Sequence, residues 1–385
     1  MNSAQVNVGN RVPEEDCTGC SACLNVCPVN AISINENIIG HILPYVDKDK
    51  CINCGKCLKT CPSLKIPYNN SPADVYAGWT KNLKEHLSST SGGIATALAK
   101  MILNNGGIVY ASAFIPKPEI KHIRITKIDE LDTVRGSKYA QSNILYIFRS
   151  LKEDLISAKE VLFIGTPCQV AGLKNYLGKD YGNLLCIGLV CHGVPPQKLL
   201  FEHLRNQGID LGKIDNITFR NQKGLQYVLS AYSGDEMLYR RNIFQDLYYS
   251  AFNDCLTIRK SCIKCHYANR QRVEDVTLGD FHGLGNKIPY HNMSGGNISL
   301  ILVNNDKGYA YINRALNENR IVVEKRSLQE ALKYNPQLST SSCRRANYPL
   351  FVKMYSFWGF KWAGRIVMLK RLIKNQILSL KFKAK

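Results

Sequence analysis

Two cysteine runs of identical spacing lie near the start of the chain and constrain its fold more than any other feature. The first, CTGCSACLNVCP, places cysteines at positions 17, 20, 23 and 27, and the second, CINCGKCLKTCP, places them at 51, 54, 57 and 61. Three thiols at two-residue steps can wrap one compact inorganic core, and the longer last step directs the fourth thiol elsewhere. The repeat predicts a small module, from about Asp16 to Ser63, in which each fourth thiol crosses a pseudo-twofold axis.

This spacing is that of bacterial two-cluster ferredoxins, in which the fourth cysteine of each run ligates the other cluster. Zinc sites are the alternative, but they rarely combine strict two-residue steps with a final Cys-Pro. Paired clusters favour single-electron transfer, although a cluster can also act only as a folding staple. We therefore predict two 4Fe–4S clusters, one held by Cys17, Cys20, Cys23 and Cys61 and the other by Cys51, Cys54, Cys57 and Cys27.

The fifteen cysteines of this 385-residue chain would indicate disulfides in a secreted protein. The residues before Cys17 contain no apolar stretch like that of a signal peptide, and clustered cysteines in such a chain usually bind metal. We therefore expect the reducing cytoplasm as the compartment. No run of about 18 apolar residues occurs, so a membrane-spanning helix is not expected.

Beyond a proline-containing linker, short apolar runs alternate with helical patterns, which predicts an α/β core. Cys168 in GTPCQ follows a predicted strand, in a loop leading into a helix, and Cys191 in VCHGVP follows another. Such loops converge on one edge of an α/β sheet. Together with the CxxC pair of SCIKC, Cys262 and Cys265, these residues form a candidate four-thiolate site, for which structural zinc is one occupant.

Six segments of the chain resemble, in order, those of the coenzyme F420 hydrogenase/dehydrogenase beta-subunit family, which includes plant-type hydroxymethyl-chlorophyll reductases. The segments are STSGGIATAL (89–98), RGSKYAQS (135–142), GTPCQVAGL (165–173), CHGVP (191–195), SCIKCHY (261–267) and DVTLGDFHG (275–283). The resemblance spans most of residues 75–305 and implies an oxidoreductase with one 4Fe–4S cluster beside FAD. It assigns that third cluster to Cys168, Cys191, Cys262 and Cys265.

The resemblance also implies where FAD binds. The SGG turn begins a predicted helix, where backbone N–H groups and the helix dipole favour a phosphate. No GxGxxG follows a strand, so a Rossmann dinucleotide site is not indicated. An ordinary helix start and a solvated lysine are the alternatives for these positions. The residues assigned to FAD are Ser91, Gly92, Gly93, Gly136, Ser137, Lys138 and Tyr139.

Within this site the residue types predict separate roles. Lys138 pairs with the pyrophosphate or with negative charge on the ring, and Tyr139 stacks on the ring. His192, beside Cys191, is a second candidate for catalysis, as a proton donor; a contact to a cluster sulfur is the alternative. The family usually has GDFWG where this chain has His282, which puts the substrate in doubt. We expect Cys186, Cys255 and Cys343 to be buried thiols.

The net charge of +20 comes largely from the end of the chain, because residues 344–385 contain eleven Lys or Arg and no Asp or Glu. This segment predicts a basic amphipathic helix that lies on an anionic membrane or on a partner; packing on its own domain is the alternative. Nothing in the sequence indicates nucleic acid binding. On a helix, one stripe about 100° wide collects the apolar residues at 358, 362, 366, 369, 373, 377 and 380, and excludes Lys370, Arg371, Lys374 and Lys381.

The sequence thus predicts an α+β ferredoxin-like iron–sulfur module at 1–65, a linker at 66–74, an α/β flavin- and iron–sulfur-binding domain at 75–343 and a basic tail at 344–385. The predicted function is an iron–sulfur flavoprotein oxidoreductase that passes electrons between 4Fe–4S clusters and FAD to reduce or oxidise an organic substrate. The alternatives are an F420-linked enzyme that exchanges hydride with deazaflavin, and a non-catalytic electron-transfer subunit. The expected partner is an electron carrier such as ferredoxin, or a partner subunit. The tail adds peripheral attachment to the inner face of the membrane as an option.

Overall fold

The structure is a computed structural model that describes residues 6–116, 118–221, 227–286, 288–290, 296–342 and 347–383, with side chains as far as Leu378. The strands in these residues are β1 (Ile32–Glu36), β2 (Ile42–Val46), β3 (Asp74–Thr80), β4 (Ile108–Ile115), β5 (Glu119–Ile125), β6 (Val161–Gly165), β7 (Leu184–Leu189), β8 (Asn216–Arg220), β9 (Tyr227–Ser233), β10 (Glu236–Asn242), β11 (Val276–Asp280), β12 (Ser299–Val303) and β13 (Ile321–Lys325).

The helices of the described residues alternate with these strands over most of the chain. They are α1 (Val8–Arg11), α2 (Ala22–Val26), α3 (Lys56–Thr60), α4 (Leu83–Ser88), α5 (Ile94–Asn104), α6 (Leu131–Val134), α7 (Ile147–Ile156), α8 (Pro167–Leu177), α9 (Gln197–Asn206), α10 (Leu247–Asn253), α11 (Asp306–Asn317), α12 (Leu328–Tyr334), α13 (Tyr348–Val367) and α14 (Leu369–Lys383). Short 3-10 turns lie at Ile128–Glu130, Leu211–Lys213, Lys260–Lys264 and Pro336–Leu338.

The N-terminal module repeats one local conformation twice. The residues before α2 and α3, Ser21 and Gly55, both have left-handed backbone, with φ of 60° and 68°. The cysteines that end these two helices, Cys27 and Cys61, both have φ of −68°. The antiparallel pair β1–β2 joins the two halves. Because the same spacing produces the same backbone angles, each run points its fourth thiol in the equivalent direction, as a pseudo-twofold axis requires.

An eight-stranded mixed sheet forms the centre of the molecule, in the order β13-β3-β12-β11-β7-β6-β4-β5. Strands β4, β6, β7 and β11 are parallel, whereas β5, β12 and β13 run antiparallel to their neighbours. Strands β7 and β12 are buried along nearly their whole length, because helices pack on both faces of the sheet. The predicted α/β core is confirmed. The sequence did not indicate that this central sheet would also contain antiparallel strands.

The parallel strands β6, β7 and β11 end at the same edge of this sheet. Helix α8 starts directly after β6, with Thr166 as its cap and Pro167 at its first position, where the fixed φ of proline suits a helix start. Cys168 therefore lies in the first turn of α8 and not, as the sequence indicated, in a loop before the helix. Cys191 follows β7 at the same edge, outside any helix or strand.

A second, antiparallel sheet of β10-β9-β8 packs with α9, α10 and α13 around a separate apolar core. Helix α13 is interrupted at Gly359, where φ is 66° and ψ is −176°. The tail therefore forms three helical stretches and not the single helix that the stripe predicted. None of the described helices is both long enough and apolar enough to cross a membrane.

Candidate metal centres and cofactor site

Four cysteines of the module, Cys17, Cys20, Cys23 and Cys61, line one cavity whose other walls are mainly apolar. Cys23 is half-buried and the other three are buried. Burial raises the pKa of the Cys20 thiol to about 12, and repulsion from a neighbouring thiolate at Cys61 adds to the rise. Thiols that resist ionisation alone become good ligands when a cationic core compensates their charge. This is the set predicted for the first cluster.

A second cavity of the module is lined by Cys27, Cys51, Cys54 and Cys57. The Cys27 sulfur accepts a hydrogen bond from the Ala31 N–H group at 3.2 Å. Cys54 is exposed to solvent, unlike every cysteine of the first cavity. Both crossed sets that the spacing predicts are therefore gathered, each in its own cavity, and the second cavity is the one nearer the surface.

A third cavity is lined by Cys168, Cys191, Cys262 and Cys265. Cys168 and Cys191 arrive there from the ends of β6 and β7, and the CxxC pair arrives from the 3-10 turn at Lys260–Lys264. Burial, followed by repulsion from neighbouring thiolates, raises the pKa of Cys168 to about 11 and that of Cys262 to about 12. The four residues that the sequence grouped across nearly a hundred positions are thus brought together.

The four cysteines of each set line one cavity. Among the residues with described structure, no group of three or more His, Cys, Asp or Glu side chains is placed to hold a single metal ion. Four thiols around a cavity are the arrangement in which a multi-atom cluster has room. The identity of the ligands stays a prediction.

The first and third cavities are neighbours across a packed junction. Arg259, only 1% exposed, donates through Nη1 to the carbonyl oxygens of Cys17 at 3.4 Å and Ile42 at 2.9 Å. The Ser261 hydroxyl donates to the same Cys17 carbonyl at 2.9 Å, and the Tyr267 hydroxyl to the Pro62 carbonyl at 2.8 Å. The turn that carries the CxxC pair is therefore fastened directly to the cysteine loops of the module.

Arg259 is also a buried cation beside buried thiols. It forms no ion pair with any described carboxylate; its side chain instead donates to Gln141 Oε1 and to backbone oxygens. Its charge opposes the rise in the pKa of both Cys168 and Cys262. Sequence reasoning missed Arg259, because its hydrogen-bond partners lie far away in the chain. Its position two residues before SCIKC was the one signal that could have identified it.

The SGG turn lies at the same edge of the sheet. The Gly92 N–H group donates to Ser299 Oγ at 2.9 Å, and a Cβ at Gly92 would lie 2.2 Å from the Gly78 carbonyl oxygen. Packing alone thus requires glycine here, and this amide is not available to a phosphate as the sequence suggested. The N–H groups of Ile94–Thr96 at the start of α5 have no partner within the helix.

The GSKY loop approaches the SGG turn. Gly136 has φ of +83°, and its Cβ position would lie 3.8 Å from the Thr90 side chain. Lys138 donates to the Arg135 carbonyl at 2.9 Å, and loss of hydration lowers its pKa to about 7. Tyr139 stacks on Phe252 with ring centres 5.4 Å apart. One face of the tyrosine ring is therefore already covered by protein.

Arg220 at the end of β8 connects three of the segments that carry the family resemblance. Its Nη1 donates to Asp280 Oδ2 at 2.6 Å and to the Tyr139 hydroxyl at 3.3 Å, and its Nη2 donates to the Thr90 carbonyl at 2.9 Å. It also lies over the Tyr227 ring, 4.7 Å from the centroid. Sequence reasoning missed Arg220 because it belongs to none of the recognised segments.

The two histidine candidates differ in position. His192 is half-buried, borders the third cavity, and lies edge-on to Phe252 at 5.2 Å. Its Nε2 lies 3.4 Å from the Cys255 sulfur, and burial lowers its pKa. His282 is exposed. The rings of His192, Phe252 and Tyr139 thus form a continuous row of contacts from the third cavity to the GSKY loop.

Two of the three remaining cysteines, Cys186 and Cys255, line none of these cavities. Cys186 and Cys255 are buried, as expected of thiols that pack as small apolar groups. Cys343 lies outside the described residues. The neutral Cys186 thiol is favoured because burial, and then the nearby Asp275, raise its pKa.

Comparisons with known proteins cover both parts of the chain. The family model for the N-terminal part of the coenzyme F420 hydrogenase/dehydrogenase beta subunit matches residues 75–149, and that for its C terminus matches residues 158–328. Two models of 4Fe–4S dicluster domains match residues 16–64 and 43–104. No curated protein matches the chain. Among solved structures, a xenon-derivatised F420-reducing NiFe hydrogenase complex from Methanosarcina barkeri contains a similar chain, with 17% identity, 82% of this chain and 94% of that chain covered, and a TM-score of 0.45.

Proposed function

The chain belongs to the coenzyme F420 hydrogenase/dehydrogenase beta-subunit family, carries 4Fe–4S dicluster sequence in front of it, and is an iron–sulfur electron-transfer oxidoreductase; from this premise we propose that it is a flavoprotein with three 4Fe–4S clusters. In this proposal FAD combines single electrons into a two-electron reduction, or oxidation, of an organic substrate. Residues 1–65 hold two clusters, and the α/β core from residue 75 holds the third cluster and FAD.

The observation that carries the proposal is the distribution of cysteines. Twelve of the fifteen cysteines line three cavities, four in each. A cluster bound by such a set supplies reversible one-electron capacity. The protein contributes the thiolate ligands, the apolar walls that exclude water, and the buried charge of Arg259 beside the first and third sets. A buried cation with no described carboxylate partner suits a site that becomes anionic once it is loaded.

The cavities follow an order from the surface inward. Cys54 of the second cavity is exposed, three of the four cysteines of the first cavity are buried, and the junction of Arg259, Ser261 and Tyr267 connects the first cavity to the third. His192 and Phe252 then connect the third cavity to Tyr139. This order supports a single path of electron transfer between the protein surface and the GSKY loop.

The residues near the GSKY loop fit FAD by their chemistry. The N–H groups at the start of α5 and the side chain of Lys138 are donors suited to a pyrophosphate. Lys138 forms no ion pair with any described residue, and loss of hydration lowers its pKa to about 7, so an anionic ligand would stabilise its charged form. Arg220 holds Tyr139, Asp280 and Thr90 in fixed relation beside it.

The tail supports peripheral attachment to an anionic membrane. Its predicted apolar stripe faces solvent: Trp358 is 57% exposed, Trp362 53%, and Leu369 58%. The opposite face packs inward through Phe351, Tyr355, Phe360 and Ala363. Arg365, Lys370 and Lys374 are exposed on the same segment. Solvent-facing tryptophan beside basic side chains, with no acidic residue in the segment, favours an anionic lipid surface.

Anaerobic cofactor analysis of the reconstituted chain tests the proposal. We expect roughly twelve iron and twelve sulfide per chain, four of each per cubane cluster, together with about one FAD. A count near eight iron with one zinc would contradict the third cluster. Failure to retain flavin after reconstitution with FAD would contradict the flavoprotein assignment, and leave the iron–sulfur part intact.

A further inference from the structure

The mouth of the second cavity has an apolar rim. Val6, Val29 and Ile52 border this cavity beside Cys54, and Ile52 is 61% exposed. Large apolar side chains clustered at an exposed position mark interaction sites more often than they mark packing. The rim surrounds the one cysteine of the three sets that is itself exposed.

The surface around this mouth is basic. Residues 48–65 contain five lysines and a single acidic residue, Asp49. Lys56, which borders the cavity, and Lys59 both lie exposed on α3. Neither forms an ion pair with any residue that the structure describes. Two uncompensated charges on one short helix, next to the exposed thiol, give this face a positive potential.

Two of the module's six acidic residues pair with lysines of the α/β core. Glu14 pairs with Lys260 at 3.0 Å, and Asp16 pairs with Lys264 at 2.8 Å, both across the junction with the α/β core. These two carboxylates are therefore neutralised at the junction, and Asp47 pairs with Lys50 at 3.2 Å, whereas Lys56 and Lys59 stay exposed on α3. The positive potential beside Cys54 is thus local, because residues 6–65 contain equal numbers of basic and acidic residues, six of each.

We propose that this face, defined by Val6, Val29, Ile52, Cys54, Lys56 and Lys59, docks a small acidic one-electron carrier protein. The inference rests on the proposed function in one respect, that the second cavity holds a redox cluster. One encounter moves one electron from the reduced carrier to the group in that cavity; the carrier is oxidised by one electron, the chain is reduced by one, and no bond or proton is exchanged. Transient redox partners use small interfaces of this kind, with charge steering the encounter.

The test compares binding of an acidic plant-type 2Fe–2S ferredoxin with binding of a basic c-type cytochrome, both measured anaerobically by calorimetry with the reconstituted chain. We expect the ferredoxin to bind and the cytochrome not to bind. The double variant Lys56→Glu/Lys59→Glu should weaken ferredoxin binding on the order of tenfold or more at low ionic strength. The difference from the wild type should shrink as salt is added.

The matched control is Lys370→Glu/Lys374→Glu, which makes the same change in charge at two exposed lysines of α14 and should bind ferredoxin like the wild type. Equal ferredoxin affinity in the wild type and the α3 variant would overturn the docking face. An equal loss of ferredoxin affinity in both variants would also overturn it, since only the net charge of the chain would then matter. Tight binding of the basic cytochrome would overturn it as well. Iron content and reduction by dithionite should be unchanged in both variants; if the wild type itself holds no cluster, the proposed function fails and not the docking face.

Discussion

At the scale of single residues, Cys262 lines only the third cavity, so replacing it tests that cavity independently of the other two. The Cys262 side chain is half-buried, and loss of hydration raises the pKa of its thiol to about 12, so a cationic cluster core would favour its ionised form. Replacing Cys262 with Ser should remove about four of roughly twelve iron atoms and leave the two module clusters. Artificial dyes should still reduce the flavin, whereas ferredoxin should not. Iron and sulfide analysis with electron paramagnetic resonance checks the cluster count.

The control for Cys262 is Cys186→Ser. Cys186 is buried but lines none of the three cavities. The Cys186→Ser variant should retain all of the iron and the wild-type activity with ferredoxin. Ferredoxin-driven flavin reduction at the wild-type rate in the Cys262 variant would show that this residue lies off the electron path.

Lys138 makes flavin binding depend on pH. Its pKa falls from 10.5 to about 7 because the site removes it from water. Above pH 7 the free site is therefore largely neutral, and binding an anionic pyrophosphate must take up a proton there. We expect the dissociation constant for FAD to increase as pH rises from 7 towards 10, measured by flavin fluorescence quenching. Lys138→Arg, which stays charged, should remove the dependence; a wild-type profile as flat as that variant would contradict the role.

The lowered pKa of Lys138 also makes the stability of the flavin-free protein depend on pH. Between pH 7 and 10.5 the unfolded chain binds a proton at Lys138 that the folded chain does not. Folding is therefore penalised most at and below pH 7, and the penalty fades as pH rises through this range. Lys138→Met should raise the free energy of unfolding at pH 7, with a gain that disappears near pH 10.5. Denaturant unfolding of the flavin-free wild type and variant at pH 7 and pH 10.5 measures this difference in the free energy of unfolding.

Residues differ in how far the sequence could identify them. The grouping of Cys17, Cys20 and Cys23 was predictable, because two-residue gaps keep them close in the chain and the same gaps recur in the second run. Arg220 was not, because its partners Thr90, Tyr139 and Asp280 come from three distant segments. A hydrogen bond over such separations depends on the completed fold and leaves no local pattern.

At the scale of elements, the tail illustrates a limit of periodicity. The apolar residues of the stripe from Trp358 to Ile377 are about half exposed, and periodicity alone did not indicate whether they would be buried. The segment is apolar on two sides, and Phe360 and Ala363 make the inward contact while Ile373 and Ile377 are about half exposed. Gly359, with φ of 66°, breaks the helix so that both sides can be used.

The exposed side of the tail predicts binding to anionic vesicles. Each basic residue near such a surface contributes about 1 kcal/mol before screening, so Lys370→Glu/Lys374→Glu should abolish most co-sedimentation with phosphatidylglycerol vesicles at low salt. Tryptophan emission should shift to the blue when the wild type binds, because Trp358 and Trp362 leave water. Cofactor content should not change, since both lysines are exposed.

Two outcomes would contradict the membrane docking. One is co-sedimentation of the variant at the wild-type level, and the other is equal binding of the wild type to neutral phosphatidylcholine vesicles. The variant Lys56→Glu/Lys59→Glu is the matched control and should sediment normally. The tail and the α3 face would then be separable surfaces, one for lipid and one for an electron carrier.

At the scale of the whole molecule, alternation of apolar runs and helices was enough to predict the α/β core and the edge at which Cys168 and Cys191 meet. The strand order was not predictable. Strands β12, β3 and β13 continue the sheet beyond β11 in antiparallel pairings, and such pairings are chosen by contacts between segments far apart in the chain. The boundaries at 65, 75 and 343 stay predictions.

The attachment of the module to the core depends on Arg259. Replacing it with Met would leave the buried Ile42 carbonyl without its donor and Gln141 without its partner. An unsatisfied buried acceptor costs about 1–3 kcal/mol, so the variant should unfold at lower denaturant concentration and be cleaved faster by protease within residues 66–74. Loss of this cation should also make the reduction potential of the third cluster more negative, because the reduced cluster carries an additional negative charge.

The exposed Arg270→Met is the matched control and should change none of these quantities. If stability falls in the Arg259 variant while the potential measured by redox titration does not move, the residue only fastens the module, and its charge plays no part in electron transfer.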